Sequence, residues 1–491
     1  MLKDLGLRRS NVLRLCARSR VADEAKVFSG TSVRAALNSR HGSTASRGFA
    51  ENDMASHWFK FGDYGCVGFD LDNTLLRYNV TNLVHMEYEV LSRFLVDERG
   101  YSGKRLLKPL TDYELDFMQK GLLLDCERGN VLKVGADRVI HRACHGTRLL
   151  TAAEIEETYP SRRSDVTDAF CRDPMSLWNG PLSQKLRSLL DYFDIVASVA
   201  FARAVDTLDE EKGSPLGRYE VWPDVLAGLV AMFSREHFQT DQGVFGHIKR
   251  NPGKYLRKCS PDTISWLREL KKRSATFLLT GSNADFADFT ASYALGEDWR
   301  SLFDIAVCYA KKPGFFIQTR PFLDVVNNNE TDTVSKELRR GEMYSQGNWV
   351  ELLEFLARVN QPVDGETNRR CLYVGDNLLQ DIYVPNVYAH FDTLAVIEEQ
   401  MSEEKPCRLL TDSDRQILNS KLWGSYFRIR DLSIDVDTLW GHIIMQHAKL
   451  SIPDISFVTR IPLDERISCF DGKLYDGYYP NKPYCVIPHT R

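Results

Sequence analysis

The run Cys66-Val67-Gly68-Phe69-Asp70-Leu71-Asp72-Asn73-Thr74-Leu75 constrains this chain more than any other stretch. Mostly apolar residues lead into two carboxylates spaced by one residue and then into a polar turn, which reads as a buried strand ending on charged chemistry. A parallel α/β sheet presents its ligands at the carboxyl ends of its strands, so Asp70 belongs in the crevice. If the chain curls after Asp70, Asp72 faces the same pocket. One carboxylate is then placed to attack phosphorus and the other to protonate a leaving oxygen. The bland alternative is an acidic strand-to-helix turn in which Asn73 or Thr74 caps a helix.

Three later stretches share that form. Ala275-Thr276-Phe277-Leu278-Leu279-Thr280-Gly281-Ser282-Asn283 is a short apolar strand that ends on a hydroxyl, and Thr280 with the backbone N–H groups around Ser282 and Asn283 can cradle phosphoryl oxygens. Phe303 to Ala310 is rich in β-formers and runs into Lys311-Lys312-Pro313. A lysine fixed before proline at a strand end compensates both Asp70 and a phosphate dianion, whereas Lys311 reads as a solvated surface lysine. Cys371-Leu372-Tyr373-Val374-Gly375-Asp376 ends on an acid after a glycine that permits close approach, with Asp381 five residues on. Hard oxygens from Asp70, Asp376 and a backbone carbonyl suit Mg²⁺.

Between these strands lie helices. Ser260-Pro261-Asp262 is a cap followed by proline at the first turn, with Ile264, Leu267 and Leu270 as the apolar stripe. Further helices are expected over Ala284 to Leu295 and over Trp349 to Val359, the latter with Val350, Leu353, Leu356 and Val359 on one stripe. Residues 324 to 348 and 360 to 370 read as polar loops.

A long insert separates the first strand from the second. Glu87 to Asp97 reads as a short amphipathic helix, Leu122 to Cys144 as a β-meander with turns at Glu127–Asn130 and Gly135–Asp137, and Asp194 to Leu208 as a helix. On that last helix Arg203 and Asp206 are three apart and share a face. They are expected either to contact the substrate or to form a surface ion pair. An insert of this size at a sheet-end site makes a lid that excludes water.

Composition narrows the class. A 43% hydrophobic, 26% charged chain of 491 residues is ordinary for a globular protein with a large core, and a net charge of −4 excludes a broad basic face for nucleic-acid polymers. No apolar run is long enough for a membrane span. The eleven cysteines contain no C-x-x-C pair and read as reduced thiols. Residues 1–53 are different, with eight arginines and few acids. They read as a mitochondrial presequence or a disordered basic tail, and Met54 offers an alternative cytoplasmic start.

In order, Asp-x-Asp-x-Thr, strand-Thr, Lys-Pro and Gly-Asp-x-x-x-x-Asp resemble the signatures of the haloacid dehalogenase (HAD) superfamily of phosphatases. The segments Gly65 to Tyr78, Lys120 to Gly146, Ala310 to Phe316, Tyr344 to Asn348 and Tyr373 to Asp381 are similar to the cytosolic purine 5′-nucleotidase group, over roughly residues 58 to 400. The resemblance implies an α/β protein with a Rossmann-like core and parallel sheet (54–85 and 251–400), a large mixed α+β cap (86–250) and a C-terminal extension packed on the core (401–491). It implies a Mg²⁺-dependent phosphatase acting on a nucleoside monophosphate, as monomer or homo-oligomer. Asp70 would be the nucleophile, Asp72 the general acid and then base, and Thr280 and Lys312 the phosphate clamps. Asp70, Asp376 and the carbonyl of Asp72 would bind the metal with Asp381 in support, and Ser282, Asn283, Arg203 and Asp206 would meet the substrate. Two other readings stand beside it: a phosphatase for a sugar phosphate or protein phosphoresidue, and a non-catalytic interaction protein on the same scaffold.

Overall fold

Nine strands form the central sheet of the computed structural model, which describes residues 58–486 apart from 179, 360–369, 404–409, 432 and 472–474. The arginine-rich segment and most of the loop expected at 360–370 lie outside the described residues. In chain order the strands are β1 Cys66–Phe69, β2 Ala275–Leu279, β3 Ile305–Cys308, β4 Phe322–Val326, β5 Asn329–Val334, β6 Met343–Gln346, β7 Cys371–Gly375, β8 Asp392–Val396 and β9 Leu450–Ile452. Across the sheet they run β5-β4-β6-β3-β2-β1-β7-β8-β9. Every pairing from β6 to β9 is parallel, and β4, which joins β6 and β5 at one edge, is antiparallel to both.

β1, β2, β3 and β7 are buried along their whole length. Their apolar runs do not alternate because helices cover both faces. Phe69 lies level with Leu278 of β2 and with Val374 of β7, so the three carboxyl ends meet at one height. The strand order reverses at β1, with β2 on one side and β7 on the other, which opens a crevice at that point.

The helix starting at Ser260 forms as expected. The Ser260 hydroxyl accepts from Thr263 N at 3.2 Å, and Pro261 occupies the first turn of Pro261–Lys271. Such a cap stabilises by about 1 kcal/mol. The buried face is Trp266, Leu267 and Leu270, while Ile264 is only half-buried. The helices Ala284–Leu295 and Trp349–Val359 have the expected bounds. In the second, Leu352, Phe355 and Leu356 face the core and Val350 is exposed, so the buried stripe is rotated from the expected one.

Three expectations are corrected. Residues 324–348 are not simply a polar loop, because they hold most of the edge hairpin and β6. β5 is Asn-Glu-Thr-Asp-Thr-Val, a polar edge strand defined by its pairing to β4 and not by burial, which hides it from an apolar pattern. The helix read as Glu87 to Asp97 spans Val80–Asp97, its first two turns disguised by Val80, Thr81 and Asn82. The C-terminal segment also does more than pack on the core, since β9 extends the sheet beside β8.

Between β1 and β2 the insert carries its own five-stranded antiparallel sheet. The expected meander, Leu123–Asp125, Asn130–Val134 and Ile140–His145, is its centre, flanked by Leu186–Ser188 and Arg148–Leu149. Gly129 at φ 71° and Arg138 at φ 67° turn the chain between the strands. The helix Val196–Lys212 packs beside Val80–Asp97 and ends at Gly213, in the left-handed conformation that stops a helix. No helix among the described residues is long and apolar enough to cross a membrane.

Candidate active site at the ends of the parallel strands

Asp70 is the first residue beyond β1, and its N–H donates to Val374 O at 2.9 Å, so the carboxylate is aimed by β7 as well as by its own strand. The chain then curls. Leu71 O accepts from Leu75 N at 3.0 Å and from Leu76 N at 2.8 Å, with Asn73 in the left-handed region at φ 54°. Asparagine tolerates that conformation better than most residues. The curl turns Asp72 toward the end of β2. Asp72 accepts from Ser282 Oγ at 2.7 Å and Tyr78 OH at 2.8 Å, with Thr280 Oγ1 at the 3.5 Å limit. Thr280 Oγ1 itself accepts from Ser282 N at 3.0 Å.

Lys312 is buried at the centre of the group. Its ammonium lies 2.9 Å from Asp70 Oδ1 and 2.6 Å from Asp381 Oδ1, and it donates to Tyr373 OH at 3.3 Å. Burial disfavours that charge, but Asp381 and Asp70 outweigh it and hold the ammonium charged well above its ordinary range. The loop carrying Lys312 is pinned to β2, with Ala310 N donating to Thr280 O at 3.0 Å and Tyr309 N to Ser282 O at 2.7 Å. Lys311, by contrast, is half-buried with its ammonium 5.1 Å from the Tyr309 ring centroid.

Asp381 reaches the site on a single turn of π-helix, Leu378–Tyr383, that follows Asp376. Asn377 fixes the turn: its side chain accepts from Leu379 N and Gln380 N, and its N–H donates to Asp381 Oδ2 at 3.1 Å. A Cβ at position 375 would lie 2.4 Å from the Asp381 Cβ, so Gly375 is what lets the turn fold back this tightly.

Asp70, Asp376 and Asp381 each bring one oxygen within 4.8 Å of the others, and Asp376 Oδ2 is buried without a hydrogen-bond partner. With Asp72 there are four carboxylates, against Lys312 at the centre and Lys120 on the Asp376 side. Burial lifts the Asp70 carboxyl to about 8 against the pull of Lys312, and burial followed by the charge of Asp191 lifts Asp376 well above the usual carboxylate range. This negative excess, with an orphan oxygen in it, fits a divalent cation taking hard oxygen ligands. The Asp72 carboxylate is turned to Ser282 and Tyr78 and is not part of the three-residue group.

Ser282 and Asn283 line a cavity of about 280 Å³ beside Asp72, whose walls include Phe193, Phe233, Phe238 and Tyr309. Arg203 and Asp206 are committed elsewhere, and neither expectation for the pair is met. Arg203 is buried, paired with Glu114 at 2.7 Å and donating to Tyr88 OH, Lys108 O and Pro109 O. Asp206 accepts from Thr147 Oγ1 at 2.6 Å and lies 3.6 Å from Arg105. Each takes a partner from a different element, so the shared helical face produces neither a substrate clamp nor an intrahelical pair.

Several site residues carry little sequence signal. Tyr78 is a lone tyrosine in a two-residue strand, and the cavity aromatics are scattered from 193 to 309. Asp191 offers more, an acid set between Leu189-Leu190 and Tyr192-Phe193. Its carboxylate accepts from Asn73 Nδ2 at 3.2 Å and is lifted by burial to about 6. Lys120 is also buried nearby, 3.3 Å from Glu399 and close enough to Asp376 for their charges to interact.

Removing the central cation tests this geometry. Lys312→Met leaves Asp70 and Asp381 as buried like charges without compensation, and the loss of one partner from a buried pair costs about 3 kcal/mol. The expected result is a lower midpoint in urea unfolding at unchanged slope, and an unchanged midpoint would show that the lysine does not hold these carboxylates together.

Strand-end carboxylates, a hydroxyl and a lysine on a parallel sheet, taken with the relatives of this sequence, define a phosphoric monoester hydrolase. The chain belongs to the 5′-nucleotidase family, whose model matches residues 58–426. It is 32% identical to 5′-nucleotidase domain-containing protein 1 of Homo sapiens, over 88% of this chain and 97% of that protein, and equally so to the Bos taurus protein of the same name. It is 24% identical to 5′-nucleotidase domain-containing protein 2 of Rattus norvegicus, over 75% of this chain and 62% of that protein.

Proposed function

We propose that this protein is a Mg²⁺-dependent phosphatase of the HAD type that hydrolyses a nucleoside 5′-monophosphate through an aspartyl-phosphate on Asp70. The observation that carries it is Lys312 bridging Asp70 and Asp381 beside an Asp72 already held by two hydroxyls. Asp70 attacks phosphorus, and Asp72 gives its proton to the departing 5′-oxygen. Asp72 then takes a proton from the water that cleaves the aspartyl-phosphate, which returns both carboxylates to their starting state. Burial raises the Asp72 carboxyl, the direction a general acid needs, while Ser282 and Tyr78 oppose the shift and orient the group. Lys312 and Thr280 hold the phosphoryl oxygens. Mg²⁺ held by Asp70, Asp376 and Asp381 would screen the charge that gathers on those oxygens.

The leaving nucleoside is assigned to the aromatic cavity beside Ser282 and Asn283, where Phe193 and Phe233 offer apolar aromatic surface to a base. Turnover of nucleoside monophosphates, sugar phosphates and phosphopeptides with Mg²⁺ tests the reading. The nucleotides are expected to lead in kcat/KM, and Phe233→Ala is expected to raise their KM about tenfold while leaving p-nitrophenyl phosphate nearly unchanged. A sugar phosphate or phosphopeptide at the head of the series would replace the nucleotide assignment with a phosphatase for another phosphoester. No turnover of any substrate would favour the non-catalytic reading.

A further inference from the structure

Tyr78 touches both halves of the site. Its hydroxyl donates to Asp72 Oδ1 at 2.8 Å, and its ring meets the Phe193 ring edge to face, at 84° with centroids 5.1 Å apart. Asp72 is the proton donor assigned above, and Phe193 is a wall of the aromatic cavity assigned to the nucleoside. One fully buried side chain therefore joins the cavity to the acid.

A second link runs through the backbone. Asp191 Oδ1 accepts from Asn73 Nδ2 and from Phe193 N, each at 3.2 Å. Asn73 follows Asp72 in the curl, so the Phe193 wall is tied to the same turn that its ring reaches through Tyr78. Phe193 also packs edge to face on Phe233, another wall of the cavity, at 79° and 5.6 Å. Such rings are held by the fit of a positive edge to a negative face, so a shift of one is passed to the next.

The support behind Tyr78 is stiff. The chain enters the insert through Arg77–Tyr78, which pairs antiparallel with Leu256–Arg257, where the chain returns. Asn79 N donates to Tyr255 O at 2.8 Å. Arg77 is buried, donates to Pro453 O at 3.1 Å and forms ion pairs with Glu398 and Asp454. A pinned backbone leaves the ring as the movable part. The hydroxyl lies on the axis about which a tyrosine ring flips, so only a tilt of the ring moves it, and Phe193 is placed to set that tilt. Asp72 is held at one oxygen by Ser282 and at the other by Tyr78, so the plane of its carboxyl is fixed only when both bonds are made.

We propose that Tyr78 is a positioning residue that makes proton donation by Asp72 depend on a filled aromatic cavity: a base packed against Phe193 fixes the Tyr78 ring, and the Tyr78 hydroxyl turns the carboxyl toward the 5′-oxygen. The inference rests on the nucleotide reading of the site. A phosphate ester without a base leaves Phe193 and Tyr78 free to shift, and the acid is then less often aligned when the bond breaks. Preference for nucleotides is thereby expressed in kcat as well as in binding.

Steady-state kinetics of the full chain on a nucleoside 5′-monophosphate and on ribose 5-phosphate test this, because both release a primary alkoxide and only one carries a base. The wild-type kcat is expected to be about tenfold higher for the nucleotide, the effect of one well-placed hydrogen bond. Tyr78→Phe keeps the ring and removes the hydroxyl. It is expected to bring the two kcat values within about twofold of each other by lowering that of the nucleotide, with the nucleotide KM little changed. Phe193→Leu keeps an apolar wall and removes the ring contact, and is expected to raise the nucleotide KM and erase the same kcat advantage. In that ratio the double variant is expected to be no worse than either single one. An equal loss on both substrates in Tyr78→Phe leaves the ratio intact, marks the tyrosine as structural support and overturns the proposal. Absence of a kcat advantage in the wild type overturns it as well. If the nucleotide then still leads in kcat/KM through a lower KM, the nucleotide reading stands alone, and if it does not lead, both fall.

Discussion

Asp70→Asn is expected to lower phosphate release by about a thousandfold or more while the protein remains folded. An amide fills nearly the volume of the carboxylate and cannot attack phosphorus. The fold tolerates the exchange because Asp70 is not the only anchor of Lys312, which keeps Asp381 at 2.6 Å. The substitution also removes one negative charge from a group in which Asp381 and Asp72 both push the Asp70 carboxyl up. Rapid quenching with a ³²P-labelled substrate reads the chemistry directly: acid-stable label is expected on wild-type protein and not on the variant. A variant that keeps a sizeable fraction of the wild-type rate would remove Asp70 from the attacking role.

Asp376→Ala is expected to abolish the response to Mg²⁺. A cation held by Asp70, Asp376 and Asp381 would neutralise charge that Lys312 and Lys120 do not balance, so on the proposed reading the melting temperature is expected to rise with Mg²⁺. At one hundred times Kd that linkage contributes about 2.7 kcal/mol. Deleting Asp376 removes a buried carboxylate whose Oδ2 has no hydrogen-bond partner, so the metal-free variant is expected to be no less stable than metal-free wild type. Its melting temperature is expected to be flat in Mg²⁺ and its activity lost. Chelation by EDTA is expected to silence the wild-type enzyme, and full activity in chelator would overturn the metal-dependent reading. The Mg²⁺-dependent shift in melting is separate from turnover, so a failed substrate assignment leaves it interpretable.

What could be read from the sequence follows from how strands end. A strand buried on both faces must be a short apolar run, and the first polar residue after it must sit at the rim of the sheet. Asp70, Thr280 and Asp376 all stand at such ends, and Lys312 follows one closely. Their convergence needed only that β1, β2, β3 and β7 be neighbours, as the sheet order makes them. The curl after Asp70 and the close approach at Gly375 were legible for a similar reason, because both depend on backbone geometry within a few residues. Helix bounds at Pro261–Lys271, Ala284–Leu295 and Trp349–Val359 belong to the same local class.

Tertiary structure alone decided which partner each side chain takes. Arg203 and Asp206 do share a helical face, yet Arg203 pairs with Glu114 and Asp206 with Thr147 and Arg105, residues dozens of positions away. Helical spacing sets the direction of a side chain and leaves open what packs opposite it. The aromatic cavity joins Phe193, Phe233 and Phe238 of the insert to Tyr309 beyond β3, and nothing in the spacing of those residues marks it. β5 and β9 likewise exist because a neighbouring strand offers unpaired backbone groups, a condition that a polar or very short segment does not announce. The sequence by itself therefore determined which polar side chains stand at the rim of the sheet, because those positions are tied to the ends of buried elements. The pocket walls, the edge strands and the allegiance of the buried ion pairs were settled only when distant segments came together in space.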